Sequence, residues 1–209
     1  MENTLEQNEK IILSCIYKSQ IENNSIIDLV QKQSLLSVEN INSKIDELVK
    51  NQLVNEDKKT LTKIGRESLQ VVLAGGVFDI IHPGHISTLN AAKELGDILV
   101  VVVATDNTAI KMKKKKPLHT QEQRKELVNS LTMVDMCLIG HDGDIFETVN
   151  QVRPQTIALG YDQIHQEKFI TEGCKNINLD AKITRLQSPI PESSSSSIKN
   201  EYGDSIHGI

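Results

Sequence analysis

Gly75-Gly76-Val77-Phe78-Asp79-Ile80-Ile81-His82-Pro83-Gly84-His85 is the stretch on which the fold of this chain turns. Residues 69–74 before it form a nearly continuous apolar run, broken by Gln70, of the kind found in strands buried on both faces. Residues 85–95 after it have a helical pattern, stopped by Gly96. Strand, glycine-rich turn and helix therefore follow in that order. The two glycines let backbone approach a ligand closely, and the free N–H groups of the helix start form an anion site. His82 and His85, three residues apart there, can both point to one phosphate and donate hydrogen bonds as charge moves onto it. Gly84 between them leaves room for the ligand. Working outward, strand candidates recur at 98–104, 136–140, 156–159 and 181–185, each rich in Val, Ile or Leu. Helical segments fill the gaps: 121–131 with the capping box Thr120-Gln121-Glu122-Gln123, 145–152 stopped before Pro154, and 167–175. This alternation predicts an α/β domain over 69–209, a Rossmann-like doubly wound parallel five-stranded sheet that binds ligands at the strands' carboxyl ends.

Residues 1–68 follow another pattern. Leu5, Ile11, Ile12, Leu13, Ile16 and Tyr17 recur near helical spacing, Ser25 opens a second short helix, and Ser37 opens a third with Val38, Ile41, Ile45, Leu48 and Val49 on one face. Residues 53–62 offer two short strands around a polar turn. Three helices and a small hairpin give the order of a winged helix-turn-helix domain, and residues 61–67 resemble the close of many such domains. Residues 1–69 carry 9 basic and 11 acidic side chains, and segment 38–50 sets Lys44 and Lys50 against Glu39, Asp46 and Glu47. That balance repels phosphates, so DNA is a disfavoured partner against a dimerisation or regulatory role.

The whole chain has 209 residues, with 23 basic against 28 acidic side chains, 38% apolar and 24% charged residues. These are ordinary globular proportions, which exclude wholesale disorder and a broad electrostatic nucleic-acid surface. The longest apolar run, 98–104, is too short to span a bilayer, and the polar N-terminus is unlike an export leader, so a cytoplasmic protein is expected. Cys15, Cys137 and Cys174 are widely spaced, which argues against a disulfide frame or a zinc ribbon. The acidic total conceals five lysines at 111 and 113–116, between the second strand and the next helix. Clustered ammonium groups there would neutralise a triphosphate.

His82-Pro83-Gly84-His85 preceded by Val77-Phe78-Asp79 resembles the HxGH signature of nucleotidyltransferases that join a nucleoside monophosphate to a phosphorylated acceptor, among them glycerol-3-phosphate cytidylyltransferases and archaeal FAD synthases. The resemblance covers about residues 70–200. It implies nucleotide contacts from Gly76, Val77, Phe78, Asp79, His82, Gly84 and His85, with Asp79 also near the acceptor. Ala104-Thr105-Asp106-Asn107 resembles the family's Thr-Asp turn, and 111–117 occupies the place of its phosphate-binding lysine loop, with Lys111, Lys113 and Lys114 the candidates to act. Glu122-Gln123-Arg124 resembles the family's Glu-x-Arg and makes Arg124 a phosphate or positioning contact. Leu159-Gly160-Tyr161-Asp162-Gln163 resembles the same stretch of archaeal FAD synthases, implying Asp162 on the nucleotide and Tyr161 on the acceptor. Ser194, Ser195 and Ser196, before Ile198-Lys199, match the place where the family holds β- and γ-phosphates at a helix start.

Two departures bear on the substrate. Val77 stands where many members have Thr, and residues 188–192 lack the arginine that cytidylyltransferases carry before their Ser-Thr pair, the nearest being Arg185. Weight therefore moves from CTP to ATP, and the acceptor implied is FMN. The alternatives are a CTP-dependent cytidylyltransferase acting on a small phosphorylated alcohol and, in another class, a winged-helix regulator whose α/β domain senses a nucleotide. The resemblance also implies Mg²⁺ carried on the nucleotide phosphates, without side-chain ligands, and a possible homodimer.

Overall fold

The computed structural model describes residues 5–160 and 166–187. The chain divides into two compact units between Gln70 and Val71. In the first, α1 (Gln7–Glu22), α2 (Ile26–Gln31) and α3 (Val38–Lys50) bury Ile12, Leu13, Ile16, Val30, Ile41 and Leu48 completely. Ser25 and Ser37 start their helices as side-chain caps, accepting from the N–H groups of Asp28 and Asn40. The two strands expected over 53–62 reduce to one antiparallel bridge, Val54 with Leu61. Side chains take the place of the missing ladder: Asp57 Oδ1 accepts from Lys59 N at 2.8 Å and Thr60 N at 3.0 Å. A short α4 (Lys63–Glu67) follows. Its Gly65 has no substitute, because a Cβ there would lie 1.9 Å from the carbonyl oxygen of Leu53.

The second unit is the α/β domain. Its strands β1 (Val71–Gly76), β2 (Ile98–Val103), β3 (Met136–Ile139), β4 (Thr156–Leu159) and β5 (Lys182–Arg185) form one parallel sheet in the order β3-β2-β1-β4-β5. Chain order reverses direction between β1 and β4, which makes the carboxyl end of β1 the topological switch point. Between the strands run α5 (Pro83–Lys93), α6 (Asp106–Lys113), α7 (Gln121–Asn129), α8 (Ile145–Val152) and α9 (Glu167–Asn176). Val72, Leu99, Val101, Val103, Leu89 and Val128 are buried in one core cluster. Residues so placed each contribute roughly 1.5–3 kcal/mol by leaving water.

Three boundaries differ from the sequence reading. β1 runs two residues further, because Gly75 and Gly76 still pair with Val102 and Val103. α5 begins at Pro83 rather than His85, since proline lacks an N–H and fits the first helical position, leaving His82 as the N-cap. The segment read as a turn and lysine loop is helical through Lys113: Thr105 caps α6 by accepting from Thr108 N at 3.1 Å. No helix among the described residues is long and apolar enough to cross a membrane.

Candidate active site

The turn between β1 and α5 is built around Phe78. Its backbone sits in the left-handed region at φ 51°, a costly conformation for a bulky residue, and its ring is buried. Folded back this way, the ring lies 5.1 Å from the His85 ring and so close to Gly76 that a Cβ there would stand 2.9 Å from it. The His82 and His85 rings face each other at 3.9 Å between centroids, tilted by 34°. Two imidazoles thus share one end of the sheet, as their spacing predicted. His82 Nδ1 is buried without a hydrogen-bond partner among the described residues. Desolvation lowers the pKa of His82 below its ordinary value, so at neutral pH its ring is uncharged and carries a single N–H. Beside it a cleft of about 760 Å³ runs along the Ile86 and Asn90 face of α5 towards Glu94.

At the same end of the sheet, polar side chains, with Arg124 and Asp79 buried among them, tie the segments after β1, β2 and β3 together. Arg124 is fully buried: Nη1 donates to the Val77 carbonyl at 2.6 Å, Nη2 to Asp106 Oδ1 at 2.7 Å and Nε to the His119 carbonyl at 3.2 Å. Asp79, also buried, accepts through Oδ1 from Leu118 N at 2.7 Å and His119 N at 3.1 Å. Gln121 Oε1 accepts from Asp106 N at 2.9 Å. After β3, Asp142 accepts from the Thr105 hydroxyl and from Asn107 Nδ2. These hydrogen bonds, with the nearby Lys111 charge, hold its carboxyl below the usual range. The carboxyl ends of β1, β2 and β3 are thereby locked to one another.

Several expected contacts change character in this geometry. Arg124 was expected at a phosphate or in a positioning role; fully buried, with its guanidinium spent on two carbonyls and a carboxylate, it is a strut between loops. Asp79 faces inward onto the 118–119 backbone, and the Val77 carbonyl faces Arg124. Lys111 and Lys113 lie in the last turn of α6, where cations complement the helix dipole, and Lys114 is its left-handed C-cap. All five lysines of 111–116 are exposed. Tyr161, Asp162, Ser194, Ser195 and Ser196 lie outside the described residues. Gly84 is buried in the first turn of α5. His119 and Asp142 join the site without having been anticipated. The signal for Asp142 was its place just after the third strand, where an α/β sheet presents ligand loops.

A doubly wound sheet with two histidines opening the helix at its switch point defines a nucleotidyltransferase. The chain belongs to the cytidylyltransferase-like family, whose model matches residues 73–201. Among its relatives, the FAD synthase of Picrophilus torridus is 46% identical over 126 residues, 60% of this chain and 90% of the relative. The FAD synthase of Aciduliprofundum boonei is 47% identical over 116 residues, 56% of this chain and 77% of that protein. The crystal structure of the lipopolysaccharide core biosynthesis protein from Thermoplasma volcanium matches with a TM-score of 0.55 at 42% identity, over 57% of this chain and 98% of that one.

Proposed function

We propose that this chain transfers AMP from ATP to FMN, giving FAD and pyrophosphate. The observation that carries the reading is the 46% identity to an FAD synthase across 90% of its length, joined to a paired-histidine helix start at the switch point. A phosphate oxygen of FMN attacks the α-phosphorus in line. The new P–O bond forms as the bond to the β-bridging oxygen breaks, and pyrophosphate leaves with the electron pair. The attacking oxygen is already anionic, so no side chain need take a proton. Catalysis is then positioning and charge stabilisation.

In this reading His82 and His85 donate N–H hydrogen bonds to the reacting phosphates. Lys111, Lys113 and Lys114 supply positive charge beside them. Gly76, Phe78 and Gly84 shape the turn, and Asp162 and Ser194, Ser195 and Ser196 complete the nucleotide contacts, with Tyr161 against the acceptor. Among the described residues no three His, Cys, Asp or Glu side chains gather to hold a metal. Mg²⁺ would enter on the triphosphate and balance its charge. We assign residues 1–68 to a winged-helix domain and the remainder to the transferase, acting in the cytoplasm on small molecules.

Incubation with FMN or glycerol 3-phosphate, each with ATP or CTP and Mg²⁺, tests the reading by pyrophosphate release and product mass. FAD from FMN and ATP is expected. Turnover with CTP pairs alone would replace the adenylyl reading with a cytidylyl one. No pair exceeding the His82→Ala, His85→Ala double variant would remove the enzymatic assignment.

A further inference from the structure

The lysine run has two anchors. On one side α6 ends with Lys114 N donating to the Ile110 carbonyl at 2.8 Å. On the other, Pro117 is buried, and Leu118 N and His119 N donate to Asp79 Oδ1 at 2.7 and 3.1 Å. Only Lys115 and Lys116 separate the anchors. His119 reinforces the second one with its side chain, its Nδ1 lying 2.9 Å from the Asp79 carbonyl oxygen. A carbonyl only accepts, so Nδ1 carries the proton. His119 thus donates twice to residue 79, from its backbone N–H to Oδ1 and from its ring to the carbonyl oxygen, and Arg124 Nε fixes the His119 carbonyl at 3.2 Å. Asp79 lies three residues before His82, and His119 three residues after Lys116. The clasp therefore joins the base of the histidine turn to the base of the lysine run.

Resting on the reading of this site as a triphosphate site, we infer that His119 is a positioning residue: through Nδ1 it holds the lysine run against the histidine turn and so sets where the ammonium groups meet the nucleotide. Long exposed lysines have much conformational freedom to lose on binding, and a backbone held at both ends leaves less to lose. The ring acts through one nitrogen, and that nitrogen can be copied. An asparagine amide N–H lies near the place of Nδ1, whereas a glutamine amide lies near the place of Nε2.

The test compares His119→Ala, His119→Asn and His119→Gln in the full chain, with the urea midpoint recorded for each. Two readouts are taken: KM for ATP against kcat in FAD formation, and the rate at which trypsin first cuts within 111–116 relative to cuts elsewhere. His119→Ala is expected to raise KM about tenfold with a smaller fall in kcat, and to speed local cutting by about tenfold. His119→Asn restores both and His119→Gln neither. Rescue by glutamine instead of asparagine, or unchanged local cutting in His119→Ala, overturns the clasp. The trypsin arm needs no turnover, so a chain inactive on FMN and ATP would fail the functional reading while the clasp is still decided.

Discussion

Each unit of the chain places an arginine at the edge of its core, and the two are used differently. Arg66 in the first unit is part-exposed, with its guanidinium carbon 4.8 Å from the centre of the Tyr17 ring. Burial pushes the Tyr17 hydroxyl's pKa up, and the Arg66 charge and hydrogen bond only partly offset that. Arg124 in the second unit is fully buried and joins Val77, Asp106 and His119, a turn, the start of α6 and the segment before α7. Arg66 ties Tyr17 and the Leu69 carbonyl together at the end of one helix, whereas Arg124 sets the geometry of a site. A buried cation with three fixed acceptors is costly to assemble and costlier to leave half assembled. Such an arrangement marks where the fold spends stability on precision.

The largest effect is expected at the histidines that this framework presents. Replacing His82 and His85 together by alanine should lower kcat/KM for FAD formation by at least about 10³, with the urea midpoint little moved. Equal loss of activity and stability would mean that the pair serves packing. Next comes the contrast between the arginines. Arg124→Met should lower the unfolding free energy by about 3–5 kcal/mol, because it removes a fully buried cation and strands the Asp106 carboxylate and the Val77 and His119 carbonyls, whereas Arg66→Met should cost about 1 kcal/mol. Urea unfolding measures both, and similar costs would erase the distinction. A smaller effect concerns pH. The His82 pKa is depressed by desolvation, so the unfolded chain binds more protons than the folded one between that depressed value and about 6.5. Stability from this group is complete above pH about 6.5 and is lost as pH falls through the folded pKa. An NMR titration of the His82 ring with its midpoint at or above 6.5 would contradict this.

The sheet was legible because its strands are nearly unbroken apolar runs, a signal that burial on both faces writes plainly into the sequence. The histidine pair was legible because turn, glycines and helix start all pointed to one place. α6 was not, because it buries only Ala109 and therefore shows no apolar stripe. Only its cap, Thr105 three residues before Thr108, announced it. The inward turn of Arg124 and Asp79 was also hidden. Their partners lie 47 and 39 residues away, at Val77 and Leu118, and single-residue chemistry cannot tell a phosphate contact from a loop strut.

The smallest expected effect tests the comparison of the two units most directly. The Picrophilus torridus relative is matched over 90% of its length by only 60% of this chain, and the family model begins at residue 73. The polar network at the histidines' end of the sheet lies wholly between Val77 and Asp142, within the second unit. No described side chain of the first unit belongs to it. Domains with their own cores can fold and act alone, so a chain starting at residue 69 should form FAD with kcat/KM within about twofold of the full protein. In the first unit, Lys44, one of the two cations of α3, pairs with Glu6 at 3.6 Å. The first unit would then matter for regulation or assembly rather than for chemistry, and sedimentation of both forms alongside the assay would separate those roles. A fall of tenfold or more in kcat/KM, with the truncated chain still cooperatively folded, would instead place residues 1–68 in the catalytic cycle.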